Sequence, residues 1–91
     1  MKEVWTTEAK NTFANNIEYL KKKFPKEVLE NFIDKSFEVI DLLLQNPKLA
    51  VYDKKWKAYK FLIVPQIYLF FEVDGNNFVL ISFWNNKQKT L

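Results

Sequence analysis

At 91 residues and a formal net charge of +3, the chain has the size of one domain, enough for a single core. It contains no Cys and no His, which excludes disulfides, thiolate nucleophiles, Cys/His zinc sites, histidine general bases and Ser-His triads. All 14 basic residues are Lys, so a guanidinium fork for phosphate is excluded too, while nine Phe among 18% aromatics promise a core of large side chains.

Residues 3–6, Glu-Val-Trp-Thr, favour a short strand, and Thr7-Glu8-Ala9 then has the form of a helix start, a Thr cap with an acid in the first turn. Apolar residues recur at Ala9, Phe13, Ile17, Leu20 and Phe24, with Lys10, Asn11, Asn15, Glu18, Lys21 and Lys22 on the other side, which predicts an amphipathic helix. Lys21-Lys22-Lys23 suits a helix C-terminus, and Phe24 before Pro25 leaves the α region. Pro25 fits the first turn of a second helix running to about Gln45. Its inward face is Leu29, Phe32, Ile33, Phe37, Ile40, Leu43 and Leu44, and Asn46-Pro47 stops it. The short link predicts an antiparallel helix hairpin.

Residues 48–58, KLAVYDKKWKA, lack a sustained period and read as a surface loop. Three apolar runs follow, separated by Pro65-Gln66 and by Asp74-Gly75-Asn76-Asn77, and predict an antiparallel three-stranded meander ending in a polar, basic tail. The fold class is therefore α+β in the order β-α-α-β-β-β, with the helix hairpin packed on one face of a small twisted, mainly antiparallel sheet. The whole of residues 1–91 is expected to form one domain. Residues 1–10 hold no apolar signal core, and the greasy run 61–71 is interrupted and too short for a bilayer. A cytoplasmic protein with no membrane partner is expected, and nothing in the composition calls for a cofactor or a metal.

Both faces of the predicted sheet are rich in apolar residues. A period of two separates Tyr59, Phe61 and Ile63 from Lys60, Leu62 and Val64, and Ile67, Leu69, Phe71 and Val73 from Tyr68, Phe70 and Glu72. In the last run it separates Val79, Ile81 and Phe83 from Phe78, Leu80, Ser82 and Trp84. Two helices cover only one face. The other, drawn from Leu62, Val64, Phe70, Phe78, Leu80 and Trp84, is expected to be bare within the chain and roofed by a partner.

The order and spacing of four pieces resemble the RelE/ParE superfamily of bacterial type II toxins. These are VWTTEAKNTF (4–13), IDLLLQNP (40–47), AYKFLIVPQIYLFFEVDGN (58–76) and ISFWNNKQKT (81–90). The resemblance implies two helices on a twisted antiparallel sheet joined by an N-terminal strand. It also implies a cognate antitoxin that neutralises the protein, for which Leu62, Val64, Phe70 and Leu80 are the expected contacts. Its target would be the ribosome and messenger RNA, as in RelE-like members that cleave messenger RNA in the ribosomal A site, or DNA gyrase, as in ParE-like members.

Cleavage of that kind uses basic groups to activate a ribose hydroxyl, neutralise the phosphate and protonate the leaving oxygen. The resemblance places Lys60 where the family usually has Arg at the start of the hairpin, and Lys87 where the terminal motif carries Arg. Lys57 and Tyr68 complete the catalytic candidates, and crowding among lysines would poise one of them nearer neutrality. Lys54, Lys55, Trp56, Trp84, Asn85 and Asn86 are the candidates for contact with target or RNA, the aromatics by stacking on a base. The sequence departs from the family in lacking Arg and in placing Asn85 and Asn86 where many members have His or Gly, and Asn carries no proton at neutral pH. Enzymatic activity is therefore left open.

Plainer alternatives sit beside each of these. Lys54, Lys55 and Lys57 equally suit a solvated loop, Trp56 a cap on the core edge, Lys21 to Lys23 a helix-dipole partner, and Tyr68 a buried tyrosine. Asn85, Asn86 and Gln88 suit the frayed end of a strand. For the whole chain, the rivals to a toxin are a non-catalytic protein-binding module and a small nucleic-acid-binding domain.

Overall fold

The computed structural model describes residues 1–87, so Gln88 and the rest of the tail lie outside the described residues. The elements are β1 (Lys2–Trp5), α1 (Thr7–Lys23), α2 (Lys26–Gln45), a 3-10 turn (Pro47–Leu49), β2 (Val51–Asp53), β3 (Ala58–Val64), β4 (Ile67–Asp74) and β5 (Asn77–Asn85). They form a five-stranded sheet in the order β1-β5-β4-β3-β2, with β1 parallel to β5 and the other pairs antiparallel. Two helices pack on it, as the order of apolar segments predicts.

The helix ends follow from local chemistry. Thr6, extended at φ −71 and ψ 164, accepts the Ala9 N–H on its hydroxyl at 3.0 Å and so caps α1 one residue earlier than expected. The same hydroxyl lies 2.8 Å from the Leu80 carbonyl and 3.2 Å from that of Ile81, tying the helix start to β5. Phe24 leaves the helix in an extended conformation ahead of Pro25, which precedes α2 as its N-cap rather than opening its first turn.

The buried stripe of α2 is Phe32, Ser36, Val39, Ile40 and Leu43. Ser36 is tolerated there because its hydroxyl donates to the Phe32 carbonyl at 2.7 Å. Phe37, expected to point inward, is 47% exposed and lies on the rim of the core near Trp5 and Phe13.

Part of the expected loop is a strand. Val51, Tyr52 and Asp53 pair with Lys60, Tyr59 and Ala58 at the sheet edge. The reversal is tight because the Lys57 N–H donates to the Asp53 carbonyl at 2.8 Å and Lys57 takes φ +56. At the other hairpins Gln66 takes φ +79, and Gly75, first of the two loop residues, takes φ +60.

Two register shifts decide which side chains face the helices. On β5, Leu80 pairs with Phe71 and Ser82 with Phe70, so Ile81 is the extra residue of a bulge. Simple alternation would place Phe83 opposite Leu80. The bulge instead brings Phe78, Leu80 and Phe83 all into the core, each at most 1% exposed. On β3, Leu62 pairs with Tyr68 and Val64 with Ile67, so Val64 turns toward the core cluster while Leu62 stays outside.

Leu80 and Val64 are therefore not on the open face that the uninterrupted period assigned them. The core on the helix side is Ala9, Leu20, Phe32, Ile40, Leu43, Ile67, Leu69, Phe71, Phe78, Leu80 and Phe83, with Trp5 stacked on Phe83 at 5.5 Å.

Where β1 ends, side chains of α1 continue the edge of β5. Thr12 Oγ1 accepts the Phe83 N–H at 2.9 Å, and Asn16 Nδ2 donates to the Phe83 carbonyl at 2.9 Å. Asn85 Nδ2 donates to Asn16 Oδ1 at 3.0 Å, which lets both amides be buried. Among the described residues no helix is long and apolar enough to cross a membrane.

Candidate functional site

The face of the sheet turned away from the helices carries Lys60, Leu62, Tyr68, Phe70, Ser82 and Trp84 in register, as Lys60–Phe70–Ser82 and Leu62–Tyr68–Trp84 rows. It is not bare. The turn after β2 folds Trp56 over it, and the indole stacks on the Phe70 ring with centroids 3.9 Å apart and planes 13° from parallel. Phe70 is 3% exposed in consequence. Trp84 meets Trp56 edge-on at 5.5 Å, and its Nε1 donates to Asn86 Oδ1 at 2.8 Å. The roof expected from a partner is in part supplied by this chain's own tryptophan.

Beside this aromatic layer Lys60 Nζ lies 5.3 Å from the centre of the Tyr68 ring and 3.3 Å from Asp53 Oδ2. Asp53 Oδ1 accepts the N–H groups of Lys55 and Trp56 at 2.9 and 3.0 Å. The Trp56 N–H is the chief reason that the Asp53 carboxyl is held below its ordinary range; partial burial works against it, and Lys60 and Lys55 add to it. The result is a shallow groove of about 290 Å³ lined by Asp53, Lys55, Trp56, Lys60, Tyr68, Phe70, Trp84 and Asn86.

Of the catalytic candidates, Lys60 and Tyr68 share this groove. Lys57 does not line it: it occupies the left-handed position of the turn and is exposed. Lys87 is exposed just past β5, its N–H donated to Asn85 Oδ1 at 2.9 Å. The charge in contact with Lys60 is a carboxylate, that of Asp53.

Of the target-contact candidates, Lys55, Trp56, Trp84 and Asn86 line the groove, while Lys54 is exposed on the turn beside it. Asn85 does not line the groove. It is buried against Asn16 on the helix side, because residues alternate after the bulge and Asn85 shares the phase of Phe83.

Of the antitoxin candidates, Leu62 is 45% exposed on the open face, whereas Leu80 is fully buried and Phe70 lies beneath Trp56. Val64 lines a second, apolar groove of about 240 Å³ with Tyr19, Leu20, Phe24, Val28 and Ile67. The groove-lining residue that sequence reasoning missed is Asp53. Its signal was there in Asp53-Lys54-Lys55-Trp56, since an Asp that accepts backbone N–H groups two and three residues on is a turn former.

Two helices on one face of a mostly antiparallel sheet, with a lysine and aromatic groove on the other, define a small α+β protein with a preformed polar site. No protein-family model matches the chain, and no curated protein matches it. Among solved structures it is similar to the YoeB/ParE toxin from Agrobacterium tumefaciens, with a TM-score of 0.65 and 14% identity over 93% of this chain and 98% of that one. It is also similar to YoeB from Staphylococcus aureus, both as a dimer (TM-score 0.61) and in a heterotetrameric YoeB-YefM toxin-antitoxin complex (TM-score 0.60). Both of those matches are 14% identical and cover 92% of this chain and 94% of the other. The chain has the fold of the YoeB/ParE toxins.

Proposed function

We propose that this protein is the toxin of a toxin-antitoxin pair and that it cleaves messenger RNA during translation through the groove on its open face. The observation that carries this reading is the convergence of Lys60, Tyr68, Trp56 and Trp84 in one groove on the face the helices leave free. Aromatic side chains on a sheet hold unpaired bases, each stack contributing on the order of 1–3 kcal/mol, and are tolerant of sequence. An ammonium beside them holds the phosphate next to a stacked base. In the cleavage step the ribose 2′-oxygen bonds to phosphorus as the P–O5′ bond breaks: Lys60 neutralises the charge that grows on the phosphate, the Tyr68 hydroxyl, within the same groove, gives its proton to the leaving 5′-oxygen, and water takes the proton of the attacking hydroxyl and reprotonates Tyr68.

The neutralising partner is a cognate antitoxin, a reading supported by the YoeB-YefM complex among the structural neighbours. Its contacts on this chain are Leu62 and the apolar groove that Val64 lines with Phe24 and Val28, both of which are more than a third exposed.

A second reading, growth arrest by binding DNA gyrase without catalysis, is favoured by the absence of Arg and His. Expressing the chain alone while following both nucleic acids separates the two. The first reading predicts primer-extension stops within translated messenger RNA, relieved when the neighbouring reading frame is co-expressed. Gyrase-linked DNA breaks with intact messenger RNA would overturn it in favour of the second.

A further inference from the structure

Asp53 is the one acidic side chain among the residues that line the open-face groove, and it holds two of the groove's parts at once. One oxygen receives the Lys55 and Trp56 N–H groups, which fixes the backbone from which the Trp56 indole reaches Phe70. The other oxygen holds Lys60 Nζ at 3.3 Å, on the side of the groove where that nitrogen also lies near the Tyr68 ring. Lysine is otherwise a flexible point charge on a four-carbon stem, and fixing it at the moment of reaction loses rotamer freedom.

A carboxylate in a site meant for phosphate weakens ground-state attraction for the anion. Its presence is explained if the position of the cation matters more to the groove than its net charge.

We propose that Asp53 is a positioning residue: it pre-sets the Lys60 ammonium and the Trp56 ring for the transition state, at the expense of RNA affinity. The inference rests on the cleavage reading above and adds to it the residue that organises the site. Once RNA is bound, one N–H of Lys60 stays with Asp53, and the remaining N–H groups of the ammonium face the phosphate. Asp53 takes no proton in the reaction.

Asp53→Asn is the informative variant, because an amide oxygen still accepts the Lys55 and Trp56 N–H groups while the ion pair with Lys60 is lost. Two quantities are measured on folded protein with unchanged Trp fluorescence: binding of a single-stranded RNA oligonucleotide, and cleavage of messenger RNA by primer extension in a translation extract. The expected result is a split, with binding equal or about threefold tighter and cleavage about tenfold slower. In a Lys60→Gln background the same substitution should change cleavage little, since its effect runs through Lys60.

Cleavage that is unchanged or faster in Asp53→Asn would overturn the inference and leave the cleavage reading standing. So would a tenfold loss that persists undiminished in the Lys60→Gln background, because Asp53 would then act on the turn alone. A wild-type protein that cleaves no messenger RNA would overturn the cleavage reading, and the inference with it. Should Asp53→Asn fold poorly, Asp53→Glu keeps the charge and provides a second test. A longer carboxylate that restores the Lys60 pair should restore cleavage to within about threefold, and failure to do so in a folded protein would count against the inference.

Discussion

Trp56 and Lys60 sit within one groove yet do different work, and single substitutions separate them. Trp56→Ala uncovers Phe70 and removes a stacked pair, so it should cost about 2 kcal/mol in urea unfolding as well as weaken RNA binding. Lys60→Gln should leave the unfolding free energy within about 0.5 kcal/mol, because the ion pair is near the surface, and should lower the slope of log affinity against log salt by about 0.7.

Asp53 adds a pH dependence whose sign follows from its depressed folded pKa. Its contribution to stability is complete above the unfolded value of about 3.9 and is lost as pH falls through the folded value. Acid unfolding of Asp53→Asn should therefore be less steep below about pH 4 than that of the wild type, as followed by circular dichroism. At this scale the sequence named Lys60, Tyr68, Trp56 and Trp84 because each is a chemically distinctive side chain, three of them within greasy runs and Trp56 alone among lysines. It hid Asp53, whose role comes from a turn and an edge strand that four neighbouring lysines disguise as solvated loop.

Among the elements, the pairing of α1 with the far half of β5 is the join that secures the strand carrying Trp84. Asn16→Leu removes the donor to Phe83 and the acceptor of Asn85, leaving two polar groups buried without those partners, and should cost about 2–3 kcal/mol in urea unfolding. Ser82 offers the opposite case. Its hydroxyl is fully buried with no hydrogen-bond partner among the described residues, so Ser82→Ala should be neutral or stabilise the fold by up to about 1 kcal/mol.

Both helices and the three long strands were legible because their apolar periods are sustained over several turns or residues. The bulges at Ile81 and Ile63 were not, since a single extra residue leaves composition unchanged while reversing the face of everything beyond it. That reversal is why Leu80 and Val64 lie on the helix side and not on the open face with Trp84 and Leu62.

Taken whole, the molecule covers its second sheet face by economical means. One tryptophan from a tight turn shields the central phenylalanine, leaving a groove lined by Lys55, Lys60, Tyr68 and Trp84 in place of the broad greasy surface expected from the strand pattern. The case for a partner consequently shifts to the exposed Leu62 and to the apolar groove beside Val64. Leu62→Asp should weaken binding of the neighbouring frame's product at least about tenfold by calorimetry while leaving the fold intact.

The central claim is that Lys60, in this groove, is what acts on messenger RNA. Primer extension on messenger RNA from cells expressing equal amounts of folded wild-type and Lys60→Ala protein tests it most directly. Cuts reduced about a hundredfold or more in the variant are the predicted result. Cuts of undiminished strength at the same positions would contradict it.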